Sequence, residues 1–289
     1  MKGVQMNKPH TFQHEAMQTT FTLRLLHADR QHAEAAATDA FALLDEIEQS
    51  LSRYIEGSDV WQINHLQAGE SLFIRDLCYD CLRAALDANE LTLGLFDVTM
   101  GTRIEHRKQN REGLPPELCG RLVIDPERPA VHCLEAGREI DLGGIGKGFA
   151  LDRMKDRLLE WEIESALLSA GASTQFAYGP APWTVHLCGT HCSHTIELKN
   201  EALSASGTIF QGAHIVSPDQ PFSEEESYLQ QKTWVIHPTG TLADAWSTAL
   251  LLIDENKIEA LEGRPPIIFR EADGLIRNLS QIHMINPPQ

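Results

Sequence analysis

A glycine-rich segment with a single lysine is the first place in this sequence where chemistry is expected. Residues 141–152, DLGGIGKGFALD, hold four glycines around Lys147. Such clusters mark tight turns or a close approach of the backbone to a ligand. The lysine indicates an anionic ligand, and a structural turn with a solvated lysine is the alternative.

Two known phosphate-binding motifs do not match this segment. A P-loop needs glycine where Asp141 stands and Ser or Thr where Gly148 stands. No register of the glycines gives G-x-G-x-x-G. What remains is a strand-to-helix turn whose N–H groups and Lys147 face an anion. Asp141 cannot serve a phosphate, so we expect it to hydrogen-bond a heterocycle or a hydroxyl.

A second candidate is LADAWSTALLL, where Asp244 and Thr248 are four residues apart. On a helix the two side chains point to the same side. A carboxylate and a hydroxyl are hard oxygen donors that suit Mg²⁺. The alternative is a helix-terminal Asp244 and a Thr248 hydroxyl that bonds back to a carbonyl.

Two weaker candidates complete the set. GLFDVTMG carries Asp97 and Thr99 in a glycine-bounded turn, and LSASGTIFQGAHIVSP carries His214 after a run of small residues. Taken alone, the first is only a turn, and a single histidine is more often a packed or surface residue than a catalyst.

The six cysteines raise the question of a metal site. Cys78 and Cys81 form a CxxC, but with Leu82 and Ala85 they make one apolar helix face, so a core position is expected. HLCGTHCSH (186–194) alternates like a strand and hairpin, and a transition-metal site is the alternative there.

Hydrophobic periodicity predicts the elements that must position these residues. We expect a strand at 19–27, helices at 31–54, 75–91 and 146–160, and a helix that begins near Ala243. Strands are expected at RLVID, AVHCLE, REIDL and ESALLSAG, within 183–217, and in a hairpin at PPIIFREADGLIRNLS. This order predicts an α+β fold with mixed, mostly antiparallel sheets and packed helices. The polar segment 219–233 is expected to be a mobile loop.

Length and charge limit the function classes. We expect residues 1–11 to be a disordered N-terminus and 12–289 a single domain. The net charge of −17 argues against nucleic acid and anionic lipid as partners. No signal-peptide run and no early cysteine are present, and the longest apolar stretch, ALLLI from Ala249, is too short to span a membrane. A cytoplasmic protein without a membrane anchor is expected.

The order and spacing of the motifs resemble those of the ApbE family, the FAD:protein FMN transferases. The similarity is carried by AMQTTF, LSRYIEGSDVWQIN, GLFDVTMG, DLGGIGKGFALD, LSAGAS, SASG with HIVSP, and ADAWSTAL, from about Phe12 to Ile282. The resemblance implies an ApbE-like α+β fold that binds FAD. It also implies a Mg²⁺-dependent transfer of FMN from FAD to a Ser or Thr hydroxyl of an acceptor flavoprotein, with release of AMP.

The resemblance also implies residue roles. Metal ligands would be the Gly144 backbone oxygen, Asp244 and Thr248. His214 would lie near the reacting phosphate and is the first candidate base, with Asp97 the second. Contacts to the flavin nucleotide would come from Met17, Tyr54, Leu95, Phe96, Asp97, Asp141, Lys147 and Ile215.

Several positions depart from the family pattern. Gln18 stands in place of a glycine, Ala172 and Ser173 replace a Gly-Asp or Gly-Asn pair, and Ser217 replaces an aspartate. These changes favour the first of two alternatives to the transferase. One is a catalytically impaired FAD-binding protein for flavin storage or delivery. The other is a Mg²⁺-dependent FAD pyrophosphatase, in which water replaces the acceptor hydroxyl.

Overall fold

The computed structural model describes residues 8–109, 113–207, 232–253, 258, 261, 265, 267–272 and 274–280. His214 and Ile215 lie outside these residues. So does most of the segment 219–233, of which only Lys232 and Thr233 are described, both in a strand.

Helices and strands are mixed along the chain. In chain order they are β1 (His10–Ala16), β2 (Thr19–Leu25), α1 (Arg30–Leu51), α2 (Asp59–Asn64), β3 (Ser71–Phe73), α3 (Asp76–Leu91), α4 (Gly101–Lys108), β4 (Arg121–Ile124), β5 (Ala130–Glu135), α5 (Gly146–Glu160), β6 (Ala166–Ala170), β7 (Thr174–Tyr178), β8 (Trp183–Cys188), β9 (Ser193–Leu198), β10 (Glu201–Gly207), β11 (Lys232–His237), α6 (Gly240–Leu251), β12 (Ile267–Ala272) and β13 (Leu275–Asn278).

The main sheet has eight strands in the order β1-β2-β6-β7-β10-β11-β12-β13, and every neighbouring pair is antiparallel. A three-stranded sheet, β3-β5-β4, and the hairpin β8-β9 stand beside it. The predicted α+β class with mostly antiparallel strands is therefore confirmed.

Two apolar layers cover the main sheet. Helices α1, α5 and α6 bury Leu44, Leu151 and Ala249 against one face. The β8-β9 hairpin covers the other face through Val185 and Leu187. All five residues of β6 are buried because the strand lies between the two layers.

Several predicted boundaries were wrong. His10 and Thr11 belong to β1, where they pair with Leu25 and Arg24, so the ordered chain begins before residue 12. Helix α1 ends at Leu51 and not at residue 54, so Tyr54 lies beyond it and is half-exposed. Helix α2 was not predicted, although Ser58 caps it by accepting a hydrogen bond from the Trp61 N–H.

The predicted strand REIDL does not form. Glu139 makes only an isolated bridge to Met100. The Asn64 side chain binds both the N–H and the carbonyl of Ile140, at 2.7 and 2.9 Å. These hydrogen bonds replace a strand partner and hold the chain in place just before Asp141.

Candidate functional site

A cavity of about 940 Å³ opens between the glycine-rich turn, α6 and β10. It collects most of the residues that the sequence singled out: Met17, Tyr54, Leu95, Phe96, Asp97, Asp141, Gly144, Lys147, Asp244 and Thr248. These positions are spread over more than 200 residues of sequence, so only the tertiary fold can bring them together. The volume is that of a small-molecule site.

The glycine-rich turn forms the start of α5 at the cavity wall. Asp141 accepts a hydrogen bond from the Gly143 N–H at 2.8 Å, and Lys147 donates to the Gly143 carbonyl at 3.3 Å. No side chain caps the helix at Ile145. Two of the first N–H groups of α5 have protein acceptors: that of Gly146 donates to the Leu142 carbonyl at 2.8 Å and that of Gly148 to Asp244 at 3.1 Å. The positive end of the helix dipole still favours an anion at this side of the cavity.

Close contact between α5 and α6 explains why glycine stands at two positions. A Cβ on Gly148 would overlap the Gly240 carbonyl, and one on Gly240 would lie 2.7 Å from the Gly148 oxygen. Asp152 fixes the start of α6 by accepting hydrogen bonds from the N–H groups of Gly240 and Thr241 at 2.7 and 2.9 Å. Burial raises the pKa of Asp152, and these hydrogen bonds oppose the rise.

Asp244 is buried at the base of the cavity, with only 3% of its surface exposed. Its Oδ2 accepts from the Gly148 N–H at 3.1 Å, and its Oδ1 accepts from the Ser204 hydroxyl at 2.9 Å. The Thr174 hydroxyl lies 3.5 Å from Oδ1. A carboxylate has about four lone-pair positions, so Asp244 retains capacity for one more partner.

The Thr248 hydroxyl lies one helical turn from Asp244, on the same side. It donates to the Asp244 carbonyl at 3.2 Å and lies 3.2 Å from the Ser206 hydroxyl. A Cβ on Gly144 would stand 3.2 Å from this hydroxyl oxygen, which shows how near the Gly144 backbone comes. Three predicted metal ligands are thus neighbours, and the donor set is all oxygen, as Mg²⁺ prefers.

Two serines of β10 match this helix face. Ser204 and Ser206 are two apart on a strand, about 6.8 Å, and Asp244 and Thr248 are four apart on a helix, about 6 Å. The spacings agree, so Ser204 meets Asp244 and Ser206 meets Thr248. Sequence reasoning noted SASG but gave these serines no role. Serines at alternate positions of a strand, matched to polar residues one turn apart on a helix, are the sequence pattern that could have indicated them.

The rim of the cavity is ionic. Asp141 Oδ2 lies 3.4 Å from Arg53 Nη1 and 3.5 Å from Lys108 Nζ. Lys108 also donates to the Tyr54 hydroxyl at 3.1 Å, and that hydroxyl donates to Glu105 at 3.0 Å. Arg53 and Lys108 were missed because no sequence motif marks them as site residues.

Burial and neighbouring charges shift the pKa values of two rim groups, Tyr54 and Lys108. Burial raises the pKa of the Tyr54 hydroxyl. Burial alone would lower the pKa of Lys108, but the Asp141 carboxylate and the Tyr54 hydroxyl outweigh it, and the net pKa is raised. Lys108 therefore stays a cation at neutral pH.

Residues 95–97 form a further part of the cavity wall. The Phe96 carbonyl accepts from the Asn89 amide at 2.7 Å, and the Phe96 N–H donates to the Thr92 hydroxyl at 3.0 Å. Asp97 Oδ1 accepts from both the N–H and the hydroxyl of Thr99 at 2.8 Å. Both of its hydrogen bonds within the described part of the chain thus use Oδ1, so Oδ2 remains the oxygen available to a ligand.

The altered family positions also line this cavity where they are described. Met17 and Gln18 form the two-residue β1-β2 turn with φ values of 50° and 59°. Ala172 and Ser173 follow β6 in the cavity wall, and Ser217 lies outside the described residues.

The cysteine and histidine clusters do not form a metal site among the described residues. Cys78 and Cys81 are fully buried in the core, as expected. In the hairpin, the His186 ring is hydrogen-bonded to the Thr195 hydroxyl, whereas the His194 ring lies tilted beside Phe269 with the ring centres 6.0 Å apart. Strand alternation separates the two histidines because they point to opposite faces of the hairpin.

The family model of the ApbE family matches residues 17–267, a span that includes every described part of this cavity. The chain belongs to the ApbE family. Within the described residues, no helix is both long and apolar enough to cross a membrane.

Curated relatives agree with this assignment at low identity. A FAD:protein FMN transferase of Klebsiella pneumoniae is 24% identical over 54% of this chain, and the match spans only 52% of that relative. The enzyme of the same name from Buchnera aphidicola is 25% identical over 75% of this chain and 73% of its own length. The one from Salmonella typhimurium is 22% identical over 90% and 84%.

Solved ApbE structures share the fold. The apo flavinyl transferase ApbE of Pseudomonas stutzeri superposes with a TM-score of 0.78 at 23% identity and covers 94% of both chains. The ApbE protein of Thermotoga maritima gives a TM-score of 0.77 at 24% identity over 94% of this chain and 97% of its own. At these identities the structural likeness establishes the ApbE fold.

Proposed function

We propose that this ApbE-family protein is a Mg²⁺-dependent FAD:protein FMN transferase. It would attach FMN from its substrate FAD to a Ser or Thr hydroxyl of an acceptor flavoprotein and release AMP. The observation that carries the proposal is the buried oxygen cluster of Asp244 and Thr248 next to Gly144, in a cavity that also holds Lys147 and the N-terminal end of α5.

The residues present fit a magnesium ion. Asp244, Thr248 and the Gly144 carbonyl supply hard oxygen donors, and Asp244 has acceptor capacity left beside its protein hydrogen bonds. When bound, Mg²⁺ would neutralise charge on the diphosphate of FAD.

Other residues of the chain would bind and orient the dinucleotide. The positive end of the α5 dipole and the Lys147 ammonium favour the phosphates. Tyr54 offers a half-exposed ring at the rim, and Asp141, held by two cations, offers a fixed acceptor. Met17, Leu95 and Phe96 supply apolar cavity wall, and we assign Ile215 to the same contact set by family resemblance.

Transfer also requires that the acceptor hydroxyl lose its proton. Asp97 is the described candidate base, since its Oδ2 is free to accept while Thr99 fixes Oδ1. His214 is the other candidate, again by family resemblance. The products would be phosphoester-linked FMN on the acceptor and AMP, so the FAD diphosphate bond breaks as the new P–O bond forms.

The test is a transfer assay with the full chain, FAD and candidate acceptor proteins, with and without Mg²⁺. AMP release is measured, and flavin fluorescence is viewed on a denaturing gel. We expect a fluorescent acceptor band only with Mg²⁺. Asp244→Ala should lower transfer by about 10³-fold, the equivalent of several kcal/mol of charge stabilisation. Asp156→Ala, an exposed carboxylate on α5, is the matched control.

The same assay separates the alternatives. Ala172 and Ser173 in the cavity wall are the observation that favours an impaired FAD binder. Bound flavin without AMP release would support that binder and reject the transferase. AMP and free FMN without any acceptor would instead indicate a pyrophosphatase. Undiminished transfer by Asp244→Ala would remove the metal assignment.

A further inference from the structure

A second cluster of reactive side chains lies on the small sheet β3-β5-β4, outside the cavity. The Ser71 hydroxyl is 2.7 Å from His132 Nδ1, and His132 Nε2 is 3.3 Å from Asp125 Oδ2. Ser71 and His132 are direct cross-strand partners, so the sheet register itself sets their contact. A serine, a histidine and an aspartate are thus joined in one hydrogen-bonded chain.

Asp125 is held firmly in its ionised form. Its Oδ1 accepts from the N–H groups of Glu127 and Arg128 at 2.9 and 3.1 Å, and the Arg128 guanidinium binds Oδ2 at 2.8 Å. The Glu127 N–H first, then the Arg128 side chain, hold the pKa of Asp125 well below its usual range.

The charge on Asp125 decides the direction of the hydrogen bonds. An ionised carboxylate can only accept, so His132 Nε2 carries the proton and donates it to Asp125. In the neutral ring Nδ1 then has the lone pair and accepts from the Ser71 hydroxyl. This is the arrangement in which a histidine acts as general base toward a serine.

The cluster is open to solvent and has apolar neighbours. Ser71 is exposed, and the His132 side chain is 33% exposed. Phe73 is two residues beyond Ser71 in β3, and Leu134 is two beyond His132 in β5, so all four share one face of the sheet. Phe73 is 72% and Leu134 49% exposed. In the antiparallel register these apolar side chains lie on opposite sides of the serine.

We propose that Ser71 is a primed nucleophile, with His132 as its base and Asp125 as the positioning residue, that reacts with carboxylic or phosphonic esters bearing an apolar chain. The Ser71 Oγ forms a bond to the acyl carbon or phosphorus, and the bond to the leaving group breaks. The Ser71 proton passes to His132 Nδ1 and from there to the leaving group or to water. Water solvates the developing charge at this open surface, so a single modification of Ser71 is expected and not fast turnover.

The test uses the full chain and an octyl fluorophosphonate, which loses fluoride as the P–O bond forms. The rate of modification is followed by intact mass, and the site is mapped by peptide analysis. We expect label on Ser71, with Ser193, an exposed strand serine of β9, as the internal reference. Ser71→Ala should lose the label.

Variants of the partners test the mechanism. General-base assistance contributes about 10²-fold or more, so His132→Gln should slow the labelling by about that factor. Asp125→Asn retains an oxygen that accepts from the backbone N–H groups, so it should slow the labelling less than His132→Gln does. Added imidazole should restore labelling in His132→Ala, an effect that a purely structural histidine would not give. FAD binding and thermal melting verify that each variant is folded.

Two results would overturn the proposal. One is labelling of Ser71 at the rate of Ser193, and the other is an unchanged rate in folded His132→Gln and Asp125→Asn. Equal rates for methyl and octyl fluorophosphonates would reject the apolar-chain preference. Because neither Ser71 nor His132 lines the cavity, FMN transfer should be unchanged in these variants whatever the labelling shows.

Discussion

Different interactions stabilise two regions of the cavity: its inner end, at the contact of α5 and α6, and its rim around Asp141. At the inner end, Gly148 and Gly240 let α5 and α6 touch, and the buried Asp244 is satisfied by a backbone N–H and hydroxyls. At the rim, the cations of Arg53 and Lys108 flank the Asp141 carboxylate next to a half-exposed Tyr54.

This difference predicts which changes the two ends tolerate. At the inner end there is no space for a Cβ on Gly148 or Gly240, and the Asp244 carboxylate depends on the position of the α5 backbone. At the rim, Lys108 and Tyr54 are partly exposed, so water partly screens the Lys108 charge. Substitutions inside should therefore alter stability, and substitutions at the rim should alter ligand affinity.

The largest effect is expected at the helix crossing. Gly148→Ala places a Cβ on the Gly240 carbonyl and 2.9 Å from the Asp244 Cβ, so the helices must move apart. We expect a loss of about 3 kcal/mol in the free energy of unfolding. Urea denaturation monitored by circular dichroism measures this change.

Gly146→Ala is the matched control, two residues earlier in the same helix. A Cβ there meets no atom within 4 Å. The substitution should be neutral or stabilise by up to about 1 kcal/mol, because alanine favours a helix over glycine. Equal losses in the two variants would contradict the close-contact explanation.

A smaller effect, on binding, is expected at the rim. Lys108→Gln removes a cation that contacts both Tyr54 and Asp141. If the cavity binds FAD as proposed, the KM for FAD should rise about tenfold with kcat nearly unchanged, since a charged hydrogen bond at a partly exposed site is worth about 1.5 kcal/mol. Steady-state AMP release at varied FAD measures both constants.

Lys199→Gln in the exposed β9-β10 turn controls for the change in net charge. It should leave both constants as they are. A fall in kcat for Lys108→Gln, with KM unchanged, would mean that the rim takes part in the chemical step, and the division between the two ends would not hold.

The smallest effect is expected at the β1-β2 turn. Gln18 has a positive φ of 59°, a conformation that costs a residue with a Cβ about 1 kcal/mol. Gln18→Gly should therefore stabilise the protein by about 0.5–1 kcal/mol, measured as a shift of the urea midpoint. Gln18→Ala retains the Cβ and should give no such gain. A gain in both variants would point to the glutamine side chain as the cause.

Periodicity predicted the long elements well. The helix expected at 146–160 has the bounds of α5, and the one expected at 75–91 differs from α3 by one residue. These segments are long and have one clear apolar face. The predicted strand REIDL does not form because its backbone is hydrogen-bonded to the Asn64 side chain, 76 positions away in sequence. A local sequence pattern cannot indicate so distant a partner.

The sequence by itself determined the residue types that chemistry needs: the glycine-rich turn with Lys147, and a carboxylate and hydroxyl one helical turn apart. Helix period and turn chemistry are local properties, so a local pattern reveals them. Only the tertiary structure decided that Asp244 meets Gly148 and Ser204, and that Arg53 and Lys108 converge on Asp141. Those contacts depend on how helices and strands pack, and packing is fixed by the shape of the whole core, not by any one segment.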